Sequence, residues 1–276
     1  MKKEKILKNK SVWIISIYKN DQLKHVQEMF ESIFAQSMKD FDVYVQEDGT
    51  LPQELHKYLE QLLSKDKIQY LGIREENKGL AFALNELVQK ALANNYTYLV
   101  RMDADDINIE NRFEQQYNFM EANAEIDVVG SWIEEFSANA KNIVEYQENS
   151  QDIVKSFRKR CPIAHVTSFF RSSFFEKAGL YRIDNVRNED QSLWIDGFYK
   201  GCKAHNFQEV LVRVRADEDY MTRRSDFNHA FDILKLKLEA TIKLKYGLIG
   251  AFYAFALFGV MICPPFIKNI LYKYCR

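Results

Sequence analysis

The sequence predicts an α/β domain with a mostly parallel central sheet flanked by helices. Short apolar runs alternate with longer segments of helical periodicity over about the first 130 residues. The first run, residues 12–17, is almost entirely apolar, which is typical of a strand buried on both faces of a parallel sheet. The chain has 276 residues, 47% of them hydrophobic, so it is long enough for one such domain with a smaller lobe.

The first strand is predicted at residues 12–17, a run of Val, Trp, Ile and Ser. The run follows a lysine-rich start, but it is shorter than a signal peptide core. Lys19 and Asp21 come soon after the run, and no small-residue cleavage site follows it. Asn20 and Asp21 can cap the helix that follows, in which apolar residues recur at helical spacing.

Two further strand–helix units follow. Residues 42–45 predict a second strand that ends in the acidic turn 47–50, and residues 52–63 predict a helix with proline in its first turn. Residues 68–71 predict a third strand, and the Ala- and Leu-rich segment 79–92 predicts the next helix.

A fourth predicted strand, residues 98–100, leads into three carboxylates, Asp103, Asp105 and Asp106. The turn that holds Asp48 also follows a strand, and ligands bind beyond the carboxyl ends of parallel strands. Carboxylates this close repel one another unless a cation or a helix N-terminus compensates. Mg²⁺ and Mn²⁺ prefer oxygen ligands and often complete their shell with substrate phosphates. The turn therefore indicates a metal site for a diphosphate, with simple helix capping as the alternative.

Past residue 130 the alternation becomes less regular, which indicates a second, smaller lobe. A strand is predicted at 164–171, a helix at 189–199 and a strand at 207–214. The net charge of −1 provides no basic field, so nucleic acid is not a predicted partner. The four cysteines lack the paired spacing of zinc or redox sites and fit a reducing compartment.

The end of the chain is apolar with basic flanks. Residues 246–267 carry no charged side chain, and this segment is longer than the ~20 residues that cross a bilayer core as a helix. Pro264 and Pro265 would end that helix early. A spanning helix, a helix in the membrane interface and a hairpin packed on the domain all remain open. Basic flanks favour attachment to an anionic membrane surface. Residues 234–238 alternate Leu and Lys, but their composition favours helix.

Eight short motifs, in this order, resemble those of inverting family 2 glycosyltransferases with the GT-A fold, especially bacterial enzymes of capsule, O-antigen and exopolysaccharide assembly. They are residues 12–20, 31–37, 47–50, 77–81 with Asn85, 103–106, 161–165, 178–181 and 189–194. The predicted fold is therefore a Rossmann-type, GT-A-like sheet with a smaller acceptor-binding lobe and a C-terminal helical tail that is apolar and basic.

The resemblance implies a binding site for a UDP-sugar. Asp48 is expected to accept a hydrogen bond from the uracil ring, Asp103 to approach the ribose, and Asp105 to bind Mn²⁺ or Mg²⁺. Further positions matched to the nucleotide-sugar site are Asn20, Lys78, Gly79 and Ala104. A glycine that opens a helix lets an anion approach the helix N-terminus closely, although Gly79 could also serve loop geometry alone.

Asp190 matches the catalytic base of the family. An acceptor hydroxyl attacks the anomeric carbon from the side opposite UDP, and Asp190 takes its proton. By the resemblance, His165 lies where the second lobe meets the acceptor, and it could orient the acceptor or hold a phosphate oxygen. Glu189 is a further candidate contact. Arg223 and Arg224 could close over a diphosphate, or could be ordinary exposed arginines. Without the resemblance, Glu189 and Asp190 would be a charged helix start and His165 a structural histidine.

The resemblance divides the chain into a nucleotide-sugar half (1–130), an acceptor and catalytic-base half (131–225) and a membrane-associated helical region (226–276). It implies transfer of a hexose, galactose or N-acetylglucosamine, from a UDP-sugar to a polyprenyl-diphosphate-linked or other saccharide. The expected location is the cytoplasmic face of the bacterial inner membrane, peripheral or with a single C-terminal span. An inactive nucleotide-sugar-binding or scaffold subunit is the alternative. Such a subunit would not need all four of the acidic residues Asp48, Asp103, Asp105 and Asp190.

Overall fold

The structure is a computed structural model that describes residues 10–137, 140–184, 187–216 and 227–263. Its strands are β1 (Ser11–Tyr18), β2 (Phe41–Asp48), β3 (Tyr70–Ile73), β4 (Tyr98–Met102), β5 (Ile107–Asn108), β6 (Val128–Phe136), β7 (Lys141–Val144), β8 (Phe169–Arg171) and β9 (Ala204–Arg215). Its helices are α1 (Leu23–Phe34), α2 (Gln53–Ser64), α3 (Leu80–Ala93), α4 (Arg112–Ala122), α5 (Ser150–Ser156), α6 (Ser172–Ala178), α7 (Glu189–Tyr199), α8 (Phe227–Lys243) and α9 (Gly247–Ile262).

One sheet runs through the domain in the order β3-β2-β1-β4-β8-β6-β9-β5, with β7 paired to β6. Strands β1 to β4 pair in parallel, because α1, α2 and α3 return the chain to the same edge after each strand. Strand β8 is antiparallel to both β4 and β6, whereas β6 and β9 form a long parallel pair. The predicted α/β fold with helices flanking the sheet is confirmed.

The sheet is buried on both faces, which explains the continuous apolar run of β1. Trp13 and Ile15 pack with α1 and α2 on one face, and Val12 and Ile14 pack with α3 and α7 on the other. All four side chains are fully buried. Burial of each aliphatic side chain contributes about 1.5–3 kcal/mol, so this strand is the centre of the core.

Two local predictions are wrong. The predicted strand at 164–171 is instead a single 3₁₀ turn, His165–Thr167, followed by the short β8. The Thr167 hydroxyl donates to the Ala164 carbonyl at 2.7 Å and closes this turn. Helix α1 has no capping side chain, because the Asp21 carboxylate accepts a hydrogen bond from the backbone N–H of Tyr18 at 2.8 Å instead.

The C-terminal helices α8 and α9 pack against each other and onto the domain. The segment 234–238 is helical, as its composition predicted. A Cβ on Gly250 would lie 2.5 Å from that of Tyr246 and 2.7 Å from the Thr241 hydroxyl, so glycine allows α9 to approach this closely. Within the described ranges, no helix combines the length and the apolar character needed to cross a bilayer.

Candidate functional site

Asp48, the last residue of β2, organises the loop that leads into α3. It is 3% exposed, and its carboxylate accepts hydrogen bonds from the backbone N–H groups of Lys78 at 2.9 Å and Gly79 at 2.8 Å. Arg74 donates to the same carboxylate at 2.6 Å, and Asn77 donates to the Asp48 carbonyl at 3.0 Å. Gly79 has φ of 93°, a conformation that favours glycine. The three predicted residues Asp48, Lys78 and Gly79 are therefore in direct contact.

The carboxylate turn lies directly after β4. Arg101, buried in β4, donates to both carboxylate oxygens of Asp103. The backbone N–H of Arg215 donates to Asp106 at 2.8 Å, and the Arg215 guanidinium donates to the Asp105 carbonyl at 3.1 Å. Burial and the neighbouring Asp103 raise the pKa of Asp105 to about 6. Burial and both neighbouring carboxylates hold the pKa of Asp106 well above its usual range.

Asp21 is a further acid of this cluster, which the sequence predicted only as a helix cap. Burial raises its pKa to about 7, and the charges of Asp105 and Asp103 add to the rise, although the Tyr18 N–H opposes it. Asn20 is exposed in the same turn after β1. The signal that could have identified Asp21 is its position just past a strand's carboxyl end, the position that Asp103 also occupies.

The start of α7 faces the carboxylate turn. Burial raises the pKa of Glu189 to about 7, and the charges of Asp190 and Asp103 add to the rise. One Asp190 oxygen accepts the backbone N–H of Gln191 at 2.7 Å, and the thiol of Cys161 lies 3.7 Å from the other. Residues far apart in sequence thus bring their carboxylates together at one edge of the sheet.

His165 lies between these groups and the core. Its Nε2 is 2.8 Å from the hydroxyl of Tyr181. Burial and the Arg101 charge hold the pKa of His165 well below its usual range, so the imidazole is neutral. Burial also raises the pKa of Tyr181, on which the charges of Arg101, Glu189 and Asp190 act as well. The histidine therefore has a structural partner, while its contact with an acceptor or diphosphate stays a prediction.

Arg223 and Arg224, the other predicted diphosphate contacts, lie outside the described residues. Ala104 is buried between the two aspartates of the turn. Sequence reasoning gave no role to Arg101, Tyr181 or Arg215. Arg101 and Arg215 are scattered basic residues outside the motifs, and Tyr181 ends the motif 178–181 without an assigned contact. In the part of the chain that the structure describes, no three His, Cys, Asp or Glu side chains form a group that could hold a metal ion.

Comparison with known sequences identifies glycosyltransferases as relatives of this chain. The model of the family described as Glycosyl transferase family 2 matches residues 12–179. An uncharacterized glycosyltransferase of Haemophilus influenzae is 31% identical over 267 residues, covering 94% of this chain and 96% of that protein. The UDP-Gal:alpha-D-GlcNAc-diphosphoundecaprenol beta-1,3-galactosyltransferase of Escherichia coli is 29% identical over 228 residues, covering 80% of each chain.

Comparison with solved structures identifies glycosyltransferases that share the fold of this chain. TarS of S. aureus in complex with UDP-GlcNAc has a TM-score of 0.68 at 13% identity, covering 88% of this chain and 71% of that chain. The mannosyltransferase PcManGT of Pyrobaculum calidifontis, solved with GDP-Man and Mn²⁺, has a TM-score of 0.62 at 13% identity, covering 96% of this chain and 79% of that chain. At these identities the likeness shows a shared GT-A fold and nothing of the substrate.

Proposed function

Because the chain belongs to glycosyl transferase family 2, as its motifs predicted, we propose that it transfers galactose or N-acetylglucosamine from a UDP-sugar to a lipid-linked saccharide. The observation that carries the proposal is the meeting of three chain segments at one edge of the sheet. They bring Asp103 and Asp105 from the end of β4 close to Asp21 and to the Glu189–Asp190 pair. The E. coli relative, whose name gives UDP-Gal and a diphosphoundecaprenol acceptor, supports this choice of substrates.

The nucleotide would bind beside the Asp48 loop. A carboxylate offers about four acceptor sites, and three N–H donors already occupy sites on Asp48. One site therefore remains for the uracil N–H. In this proposal Asp48 both holds the loop around Lys78 and Gly79 in shape and contributes one bond to the base. Lys78 and the N-terminus of α3 would then face the diphosphate.

Asp105 would hold a divalent cation, Mn²⁺ or Mg²⁺, together with the substrate phosphates. One carboxylate plus phosphate oxygens is a common ligand set for Mg²⁺. The raised pKa of Asp105 indicates a carboxylate whose charge its surroundings do not fully compensate, which a divalent cation would do. Asp103 is engaged by Arg101, which leaves Asp105 as the better ligand. When bound, the cation stabilises the negative charge of the leaving diphosphate.

Asp190 would act as the general base. The acceptor hydroxyl gives its proton to the Asp190 carboxylate while its oxygen forms the new bond to the anomeric carbon. The bond between that carbon and the UDP oxygen breaks, and UDP leaves with the electron pair. A single displacement of this kind inverts the anomeric centre. Glu189, with its pKa raised to about 7, would carry a proton part of the time and would reduce the negative charge beside Asp190.

The exposed face of α9 would attach the protein to the cytoplasmic face of an anionic membrane. Leu248 is 91% exposed, Phe252 69%, Ile249 58% and Phe255 57%, an apolar surface at the end of the domain. The exposed Lys245 lies at the start of this helix. Large apolar side chains beside a basic residue are typical of helices that lie in a membrane interface. Such attachment would bring the enzyme to a lipid-linked acceptor.

The proposal is tested by incubating the protein with UDP-Gal, UDP-GlcNAc and UDP-Glc, Mn²⁺ and a synthetic GlcNAc-diphospho-lipid, and by following both UDP release and the extended product. We expect transfer from UDP-Gal or UDP-GlcNAc. UDP-sugar binding without transfer to this acceptor or to a panel of saccharide acceptors would favour an inactive nucleotide-sugar-binding subunit and would overturn the proposal.

A further inference from the structure

A basic segment lies at the end of α5, just before Cys161. Residues 155–160 carry four basic side chains and no acidic one, in a protein whose net charge is −1. The segment, termed the basic turn, has three exposed cations and a half-buried arginine. Its basic residues are Lys155, Arg158, Lys159 and Arg160. The mechanism above gives this segment no role.

The positive charge of the basic turn lacks carboxylate partners. Counting only the residues that the structure describes, no carboxylate forms an ion pair with any of its four cations. On nearby α8, by contrast, Lys243 pairs with Asp196 at 3.0 Å and with Glu239 at 2.8 Å. An uncompensated group of cations attracts anionic partners.

Helix α9 packs directly beside the basic turn. The Tyr253 ring lies 5.7 Å from the Arg158 guanidinium carbon and 5.4 Å from the Lys159 Nζ, measured to the ring centre. The Tyr246 hydroxyl, at the start of α9, donates to the Val154 carbonyl of α5. These contacts join α9 to the end of α5 at two points, so the cations keep a fixed place next to α9.

The exposed apolar face of α9 borders these cations. Ile249 lies four residues before Tyr253 and Ala256 three residues after it, so the three share one stripe of the helix. Both Ile249 and Ala256 are exposed. The adjoining stripe holds three further exposed apolar side chains, Leu248, Phe252 and Phe255. The basic turn therefore forms one edge of a continuous apolar surface.

We propose that the basic turn binds the phosphate headgroups of anionic lipids while the apolar face of α9 enters the membrane interface. Apolar side chains flanked by uncompensated cations match the two layers of such an interface, acyl chains below and anionic phosphates above. The inference rests on the proposed function and deepens its membrane attachment. It assigns a lipid contact to a segment about 90 residues before α9 in the chain, and two adjacent contacts fix the orientation of the domain on the membrane.

This orientation brings the proposed catalytic base towards the lipid surface. Cys161 directly follows the basic turn, and its thiol lies 3.7 Å from the Asp190 carboxylate. Three residues of chain span at most about 11 Å, so the backbone of Arg158 lies within about that distance of Cys161. A sugar carried on a membrane lipid reaches Asp190 most easily when the membrane lies at this side of the domain.

Vesicle binding of Arg158→Gln/Lys159→Gln, compared with Lys57→Gln/Lys65→Gln, tests the headgroup contact in the full-length protein. Both variants lose two cations. Lys57 and Lys65 are exposed on α2 and at its end, and α2 packs on the opposite face of the sheet from α5. Co-sedimentation is measured with vesicles of phosphatidylcholine alone and with vesicles in which about a third of the lipid is phosphatidylglycerol.

We expect the wild-type protein and the α2 control to bind the phosphatidylglycerol vesicles more tightly than the phosphatidylcholine vesicles. Arg158→Gln/Lys159→Gln should bind the anionic vesicles about 30-fold more weakly than wild type at low salt, because each basic residue near an anionic surface contributes about 1 kcal/mol. The difference should shrink at high salt, which screens the charges. Binding to phosphatidylcholine alone, which depends on the face of α9, should not change.

A charge-conserving variant separates headgroup binding from packing. Arg158→Lys/Lys159→Arg keeps two cations beside Tyr253 and should bind the anionic vesicles as wild type does. An equal loss of binding in this variant would assign the two residues to the packing of α9 and overturn the inference. Wild-type affinity of Arg158→Gln/Lys159→Gln for the anionic vesicles would also overturn it, and so would an equal loss in the α2 control.

The proposed function is judged by a different measurement. With a water-soluble saccharide acceptor, Arg158→Gln/Lys159→Gln should keep the wild-type kcat of sugar transfer, because neither residue belongs to the site. A wild-type protein without transfer to any acceptor would overturn the proposed function, while the vesicle measurements would still decide the headgroup contact. An active wild-type protein that binds both kinds of vesicle equally would overturn the headgroup contact and leave the transferase function intact.

Discussion

The two sides of the site differ in how they satisfy their carboxylates. On the proposed nucleotide side, Asp48 accepts hydrogen bonds from two backbone N–H groups and a guanidinium, so its charge is compensated in the free protein. On the other side, burial and like charges raise the pKa of Asp21, Asp105 and Glu189. The carboxylate charge is therefore compensated without a ligand in the first arrangement, whereas the second arrangement lacks positive charge.

This difference has a consequence for function. A carboxylate with most of its acceptor sites filled stabilises a loop and keeps one site free for a ligand, which suits the recognition of a constant part of the substrate, the nucleotide. Desolvated carboxylates that repel one another gain the most from a cation or a proton that arrives with substrate, and perturbed pKa values of this kind cluster at reacting centres. We therefore expect substitutions on the two sides to affect different quantities.

The largest effect is expected for Asp190→Asn on the side of the crowded acids. The amide cannot take the acceptor proton, so kcat of transfer should fall about 10²–10⁴-fold while the UDP-sugar dissociation constant stays within about twofold. Steady-state kinetics and calorimetry measure the two quantities. Asp232→Asn, a half-exposed carboxylate on α8, is the control. Unchanged turnover of Asp190→Asn would remove Asp190 from the role of base.

On the nucleotide side, Asp48→Ala should act first on stability. The substitution leaves two backbone N–H groups without their acceptor, and it leaves the Arg74 guanidinium with Glu86 as its remaining carboxylate partner. We expect the free energy of unfolding to fall by about 3 kcal/mol in urea titrations, with UDP binding lost as well. Asp40→Ala removes an exposed carboxylate just before β2 and should change little. A variant of Asp48 with wild-type stability would show that the loop holds its shape without this side chain.

Asp105→Ala tests the shortage of positive charge. In the presence of Mn²⁺ we expect the dissociation constant of UDP to rise about tenfold, because the ion loses its carboxylate ligand. With EDTA in place of Mn²⁺ the two proteins should bind UDP equally. Isothermal calorimetry in both conditions measures this. Equal affinity of variant and wild type with Mn²⁺ would exclude Asp105 as the ligand.

Asp21→Asn should give the smallest effect on activity, together with an increase in stability that depends on pH. The pKa of Asp21 is about 7 in the native state against 3.8 in the unfolded chain, so the native state binds the extra proton between these values. The wild-type protein therefore loses stability as pH rises from about 4 to about 7. The variant lacks this contribution, so its advantage should grow across that window by up to about 4 kcal/mol, at about 1.36 kcal/mol for each pKa unit, and then level off. Thermal unfolding from pH 4 to pH 8 measures it, and a constant difference would contradict the assignment.

Local pattern accounts for the strands and helices of the first half. The apolar run of β1, the proline before α2 and the composition of α3 each predict one element, and each element is present. The family motifs also predict which α/β fold forms and which acidic residues lie at the ends of the strands. These features are predictable because each depends on a residue and its neighbours within about one helical turn or one strand.

Tertiary packing was needed for the rest. The short β8 is a strand because β4 and β6 flank it, whereas its sequence alone predicted a longer one. Asp21 became a candidate site residue only because the charges of Asp103 and Asp105, more than 40 residues away in the chain, act on it. Burial and long-range charge act through space, so no pattern along the chain records them. The amino-acid order was sufficient for the sheet and its acidic edge, but the protonation of those acids depends on the folded arrangement, because burial and long-range charge set it.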